Sequence, residues 1–133
     1  MITGLAHVCF VVSDLQASIR FYRDVLGFRE AFAFHREDGT HFGQYLHAGG
    51  RCFVELFVGD LGERAEGQSY KHISLEVDDI EATVADLRAK GVEVTPVKMG
   101  SDHSWQAWLA DPDGNRIELH GYTADSLQAA WVE

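Results

Sequence analysis

The chain repeats itself. His7, in the apolar run Leu5–Val12, returns 65 residues later as His72, in the run Tyr70–Val77. Asp14-Leu15 returns as Asp79-Ile80 at the same offset, Gly27 as Gly91 at 64, and Glu55 as Glu118 at 63. A slip of two residues across a module is what small loop deletions give. Between these landmarks the patterns also repeat. The first strand-like run ends at Ser13-Asp14, and Leu15, Ile19, Tyr22 and Leu26 then recur at helical spacing before Gly27. Three β-rich runs follow, 30–36, 40–47 and 51–59, broken by Glu37-Asp38-Gly39 and Ala48-Gly49-Gly50. The second copy reads as strand 70–77, a helix from Ile80 stopped by Gly91, and strands 92–97, 104–110 and 116–122, the last two joined by Asp111-Pro112-Asp113-Gly114-Asn115. The order is βαβββ twice.

That duplication predicts an α+β fold of two tandem βαβββ modules, 3–60 and 68–122, within a single domain spanning 1–133. The linker between them is glycine- and glutamate-rich. A tail over 123–133 follows, with Asp125 and Gln128 in capping-box positions for a short helix. With 133 residues and 46% hydrophobic content the chain can bury a core, which excludes disorder. Eleven Lys and Arg against 21 Asp and Glu leave a net charge of −10, and no basic run breaks it. Nucleic acid and anionic membranes are therefore poor partners. No stretch nears about 18 consecutive apolar residues, and the N-terminus lacks a basic signal start. Cys9 and Cys52 form no CxxC pair. A cytoplasmic protein without disulfides is expected.

Each module places one histidine in its first strand and one glutamate in its last. Alternate strand residues share a face, so Glu55 stands among Phe53 and Phe57, and His7 among Leu5, Cys9 and Val11. Glu118 is likewise mid-strand, between Ile117 and Leu119. A carboxylate in such company costs several kcal/mol unless it is paired or bound to metal. Each of these residues taken alone reads as a satisfied strand side chain. In duplicated register, two imidazoles and two carboxylates suit a divalent ion (Ni, Zn, Co, Mn or Fe) with positions open to water or substrate.

The runs His7-Val8-Cys9-Phe10-Val11-Val12, Phe21-Tyr22 with Leu26-Gly27, His72-Ile73-Ser74-Leu75-Glu76-Val77 and Asp111–Glu118 resemble the vicinal oxygen chelate superfamily. This group includes glyoxalase I, extradiol dioxygenases, fosfomycin-resistance thiol transferases, methylmalonyl-CoA epimerase and bleomycin-binding proteins. The resemblance implies curled mixed sheets around a metal cleft, with His7, Glu55, His72 and Glu118 as ligands and a homodimer as the assembly. A four-ligand set is similar to the glyoxalase I and epimerase pattern. There the metal binds adjacent oxygens of a small-molecule substrate and stabilises an enediolate, while Glu118 or Glu55 moves the proton. The expected function is therefore a metal-dependent lyase or isomerase of glyoxalase type.

Two alternatives stay open: an Fe(II) ring-cleaving dioxygenase using His7, His72 and Glu118, and a metal-free drug-binding resistance protein. Val11 and Gly59-Asp60 stand where glutathione-dependent glyoxalases often carry arginine and asparagine. Trp108 stands where ring-cleaving enzymes carry tyrosine. His7–Phe10 and Ser69–Ile73 are similar to the bacillithiol-using branch of the fosfomycin enzymes.

Trp108, Gln106, His103, Phe53, Phe57 and Cys9 are candidates for the substrate pocket. For all but Gln106 there is a plainer role: core packing for Trp108, Phe53 and Phe57, an exposed loop for His103, and a buried structural thiol for Cys9. His120 shares the face of Glu118 and stands to support it. His35, His41 and His47 read as surface or edge residues. Lys71 and Arg51 read either as charge partners for an anionic substrate or as solvated side chains.

Overall fold

The two aspartates of the repeat do the same work. Asp14 accepts the N–H of Ala17 at 2.9 Å and opens helix α1, Leu15–Arg20; Asp79 accepts the N–H of Ala82 at 2.9 Å and opens helix α2, Ile80–Ala89. Gly27 and Gly91 follow the helices with φ of 78° and 81°, a left-handed backbone that a side chain would strain. The computed structural model describes residues 1–132, and the chain divides into two compact units, Met1–Ala65 and Glu66–Glu133. Each is one βαβββ module.

In the first unit, strands β1 (His7–Val12), β2 (Arg29–His35), β3 (His41–Gly49) and β4 (Cys52–Val58) form a mixed sheet of order β1-β4-β3-β2. β1 runs parallel to β4 and the other neighbours are antiparallel. Strand alternation sorts the side chains. Phe10, Val12, Leu46, Val54 and Leu56 are buried beneath Leu15, Ile19 and Tyr22 of the helical segment. The opposite face carries His7, Cys9, Tyr45, Phe53, Glu55 and Phe57. Cys9 and Tyr45 are the register partners of Glu55.

The second unit repeats the plan. β5 (Ile73–Glu76), β6 (Lys98–Met99), β7 (Trp105–Ala110) and β8 (Arg116–Gly121) form a sheet of order β5-β8-β7-β6, with β5 parallel to β8. Ala107, Leu109, Ile117 and Leu119 are buried on the face that α2 covers with Ile80, Val84 and Leu87. The turn into β8 is held by Asp111. Its Oδ1 accepts the N–H groups of Asp113 and Asn115 at 3.0 and 2.8 Å, and its Oδ2 accepts Asn115 Nδ2 at 2.8 Å.

Four expectations are corrected. The first slip in the repeat falls inside a helix and not in a loop. After Arg20 the chain widens into a π-helical turn, Phe21–Val25, in which Leu26 N–H reaches Phe21 O at 3.0 Å. The predicted strand 92–97 is not one. Thr95 makes a single backbone bond to Trp108 O, Arg88 Nη2 takes the carbonyls of Val94 and Thr95, and Pro96 has no N–H to give. Only Lys98–Met99 join the ladder. β5 begins at Ile73, so His72 precedes the strand rather than lying in it. In the tail, Gln128 makes no capping box; its amide donates to Asp102 Oδ2 at 2.7 Å, and a 3-10 turn, Ala129–Trp131, follows.

Candidate metal centre

Each unit brings one histidine to one glutamate. In the first, His7 Nε2 lies 3.9 Å from Glu55 Oε1, with the carboxylate side chain 17% exposed. In the second, His72 Nε2 lies 3.2 Å from Glu118 Oε2, with that side chain 9% exposed. Two ligands each about 2.0–2.2 Å from one ion, at angles between square and tetrahedral, stand roughly 3.0–3.5 Å apart. The second pair has that separation, and the first is a few tenths of an ångström wider. Both imidazoles present Nε2, and the chemistry of the donors, neutral nitrogen with carboxylate oxygen, fits zinc, nickel, cobalt, manganese or iron. Among the described residues no three or more His, Cys, Asp or Glu side chains form a ready-made ligating group. Each unit thus offers a pair.

The surroundings of the two pairs correspond position by position. Glu55 faces Cys9 on β1 and Tyr45 on β3, and Glu118 faces Ser74 on β5 and Trp108 on β7. Tyr45 meets the His7 ring edge-on at 5.6 Å, and Trp108 meets His72 edge-on at 4.8 Å. Each imidazole is therefore held by an aromatic edge contact. Around Glu55 the wall is aromatic: Phe32 stacks on Tyr45 at 4.7 Å, Phe53 lies 5.1 Å from Tyr45, and Phe57 packs against Phe34 and Phe42. Phe53 and Phe57 are half-buried on that face, as a pocket wall requires.

Around Glu118 the wall is polar. A cavity of about 490 Å³ is lined by His72, Gln106, Trp108, Glu118 and His120, with Asp102 and Gln128. The Arg116 guanidinium lies over the Trp108 ring, 4.5 Å from its centre. Gln106 lies against Gly100, where a Cβ would collide with its amide.

The remaining candidates separate. His103 does not line the cavity. It is exposed, its backbone is left-handed at φ 63°, and its carbonyl accepts the hydroxyls of Thr123 and Ser126 at 2.8 and 3.2 Å. Its carbonyl ties the loop to the tail. Cys9 is exposed, which corrects the buried-thiol reading. Partial burial, and then a hydrogen bond and the charge of Glu55, raise its pKa, so it rests as the thiol. Both cysteines are free. His35 is exposed, but His41 and His47 are partly buried. His41 Nε2 lies 3.0 Å from Gln44 Oε1, and His47 Nδ1 lies 3.1 Å from Arg29 Nη2. Arg51 and Lys71 are exposed.

Asp102 and Gln128 escaped the sequence reading. Asp102 sits beside His103 in the same loop but carries no spacing signal, and Gln128 comes from the tail. The Gln128 amide, opposed by partial burial and aided by the Ser104 N–H, holds the Asp102 carboxyl below the ordinary carboxylate value. No helix among the described residues is long and apolar enough to cross a membrane.

Comparison with known proteins finds relatives over most of the chain. The lactoylglutathione lyase of Haemophilus influenzae is 35% identical over 123 residues, covering 86% of this chain and 90% of that protein. The metallothiol transferase FosB of Staphylococcus epidermidis is 28% identical, covering 90% of this chain and 82% of its own. The crystal structure of a glyoxalase family protein from Enterococcus faecalis superposes with a TM-score of 0.76 at 28% identity, over 88% of this chain and 96% of that one. The family model of the Glyoxalase/Bleomycin resistance protein/Dioxygenase superfamily matches residues 4–119, and with two βαβββ units each carrying a histidine–glutamate pair, the chain belongs to that superfamily.

Proposed function

We propose that this protein is a divalent-metal-dependent lyase or isomerase of glyoxalase type, acting on a small molecule with adjacent oxygens. His7, Glu55, His72 and Glu118 are its ligands. The observation that carries the reading is the pairing itself: in each unit, at equivalent positions, a histidine Nε2 faces a carboxylate oxygen. Relatives named as a lactoylglutathione lyase and a metallothiol transferase support it. The metal, when bound, polarises two neighbouring substrate oxygens and acidifies the C–H beside them.

The rest is done by side chains. Glu118, 6% exposed and turned toward His72, is the carboxylate that takes the proton from the carbon. The same carboxylate returns the proton to the neighbouring carbon, and Glu55 is the more open of the two. Trp108 and Gln106 shape the polar wall beside Glu118, and Phe53 and Phe57 shape the apolar one beside Glu55. The same reading takes the protein as a cytoplasmic homodimer, which sedimentation velocity and cell fractionation check.

The test is elemental analysis of untagged protein purified without chelator under anaerobic conditions, followed by screens with aldehyde–thiol adducts and epimerisable acids. About one Ni, Co, Zn or Mn per chain, with turnover lost on chelation and restored by the ion, is expected. Protein that carries no metal and takes none up on titration overturns the reading and leaves a binding protein. A second reading, a three-ligand Fe(II) oxygenase of His7, His72 and Glu118, draws on the wider His7–Glu55 gap, with Glu55 standing opposite Cys9 in the β1–β4 register. Stoichiometric iron and oxygen uptake with catechols would favour it.

A further inference from the structure

Glu118 has two carboxylate oxygens, and they face different neighbours. Oε2 is turned to His72 Nε2, and Oε1 to His120 Nδ1 at 3.3 Å. On the far side of the same imidazole, His120 Nε2 lies 3.6 Å from Asp102 Oδ2, is fully buried, and has no hydrogen-bond partner. The order Asp102–His120–Glu118–His72 alternates carboxylate and imidazole. Asp102 is itself fixed, with Oδ2 accepting the Gln128 amide at 2.7 Å and Oδ1 the Ser104 N–H at 3.2 Å. The His120 ring is fixed as well, meeting Tyr122 edge-on at 4.7 Å.

The sister module lacks all of this. The offset of 63 that relates Glu55 to Glu118 relates Phe57 to His120. An imidazole in place of that phenyl ring gives Glu118 a hydrogen-bond donor on its own strand, where Glu55 has a hydrocarbon. A buried histidine is expensive to keep unless it holds something in place. Here it holds a carboxylate whose other oxygen points toward the metal pair.

We propose that His120, held against Tyr122, is a positioning residue for Glu118: it occupies Oε1 and so reserves Oε2 for the metal beside His72. A carboxylate left to rotate divides its time among orientations. One pinned by an N–H on Oε1 is preorganised, which raises metal affinity at that pair. The inference rests on the metal reading above and concerns only the second unit.

The experiment is Zn(II) binding by competition with a chromophoric chelator, with the Co(II) absorption spectrum as a second readout, on wild type and three variants. H120F copies the sister module and keeps the ring against Tyr122. H120N places an amide N–H near the position of Nδ1, facing Glu118. H120Q places it near Nε2, facing Asp102. We expect H120F to bind Zn(II) about 10–100-fold more weakly, H120N to return within about threefold of wild type, and H120Q to stay weak. A purely structural histidine would not distinguish the two amides.

H120F within threefold of wild type overturns the proposal, as does equal weakness of H120N and H120Q, or recovery by H120Q alone. If H120F melts below the assay temperature, the comparison of H120N with H120Q decides. A wild type that binds no metal overturns the metal reading as well, so the two failures are distinguishable.

Discussion

The Trp108 indole meets the His72 imidazole edge-on, ring centres 4.8 Å apart, and thereby fixes which way Nε2 points. Trp108 is itself clamped by Arg116. W108A removes both contacts and should destabilise the protein by about 1–3 kcal/mol. It should also weaken Zn(II) binding several-fold, whereas W108F should keep most of both. Urea denaturation and metal titration of the two variants check this.

The two glutamates differ in burial and should differ in consequence. E118Q removes the buried base and should lower turnover about 10²–10⁴-fold. E55Q should weaken metal binding and activity by at least tenfold if the site has four ligands. An unaffected E55Q, with E118Q dead, would move the site to three ligands. Steady-state kinetics with measured metal content separate the cases.

Asp14 and Asp79 cap equivalent helices through equal 2.9 Å bonds. D14A and D79A should each cost about 1 kcal/mol. They share no hydrogen-bond partner, so the double variant should show the sum. Chemical denaturation of the three proteins measures it.

The Gln128 amide keeps the Asp102 carboxyl below its ordinary value of 3.8. A folded-state pKa depressed in this way stabilises the protein fully above the unfolded value, and the gain is lost as pH falls through the folded one. Q128A should therefore lower the melting temperature at pH 7, and the gap to wild type should shrink as the pH is taken below 3. Thermal melts across that range test the sign.

The fold was legible because the repeat is carried by residues with fixed local tasks. Aspartate caps, left-handed glycines and the Asp111 turn do the same thing wherever they stand. The histidine–glutamate pairs were legible because the repeat puts them at equivalent positions, although His72 stands just before its strand. What escaped depends on side chains meeting partners outside any repeating pattern. Arg88 capturing two carbonyls dissolves the strand expected at 92–97. The His103 carbonyl is held by hydroxyls from the tail. Asp102 gained its place from Gln128, 26 residues on. No period or cap encodes such a meeting.

The widened turn at Phe21–Val25 bears on the history of the chain. Since the two halves parted, one has gained or the other lost a single residue in mid-helix, and the helix took up the change without moving its aspartate start or its glycine stop. Divergence in length was thus stored where it disturbs no strand pairing. The segments 14–27 and 79–91 are accordingly interchangeable cassettes, and a chimera carrying either one twice should preserve the register of both sheets.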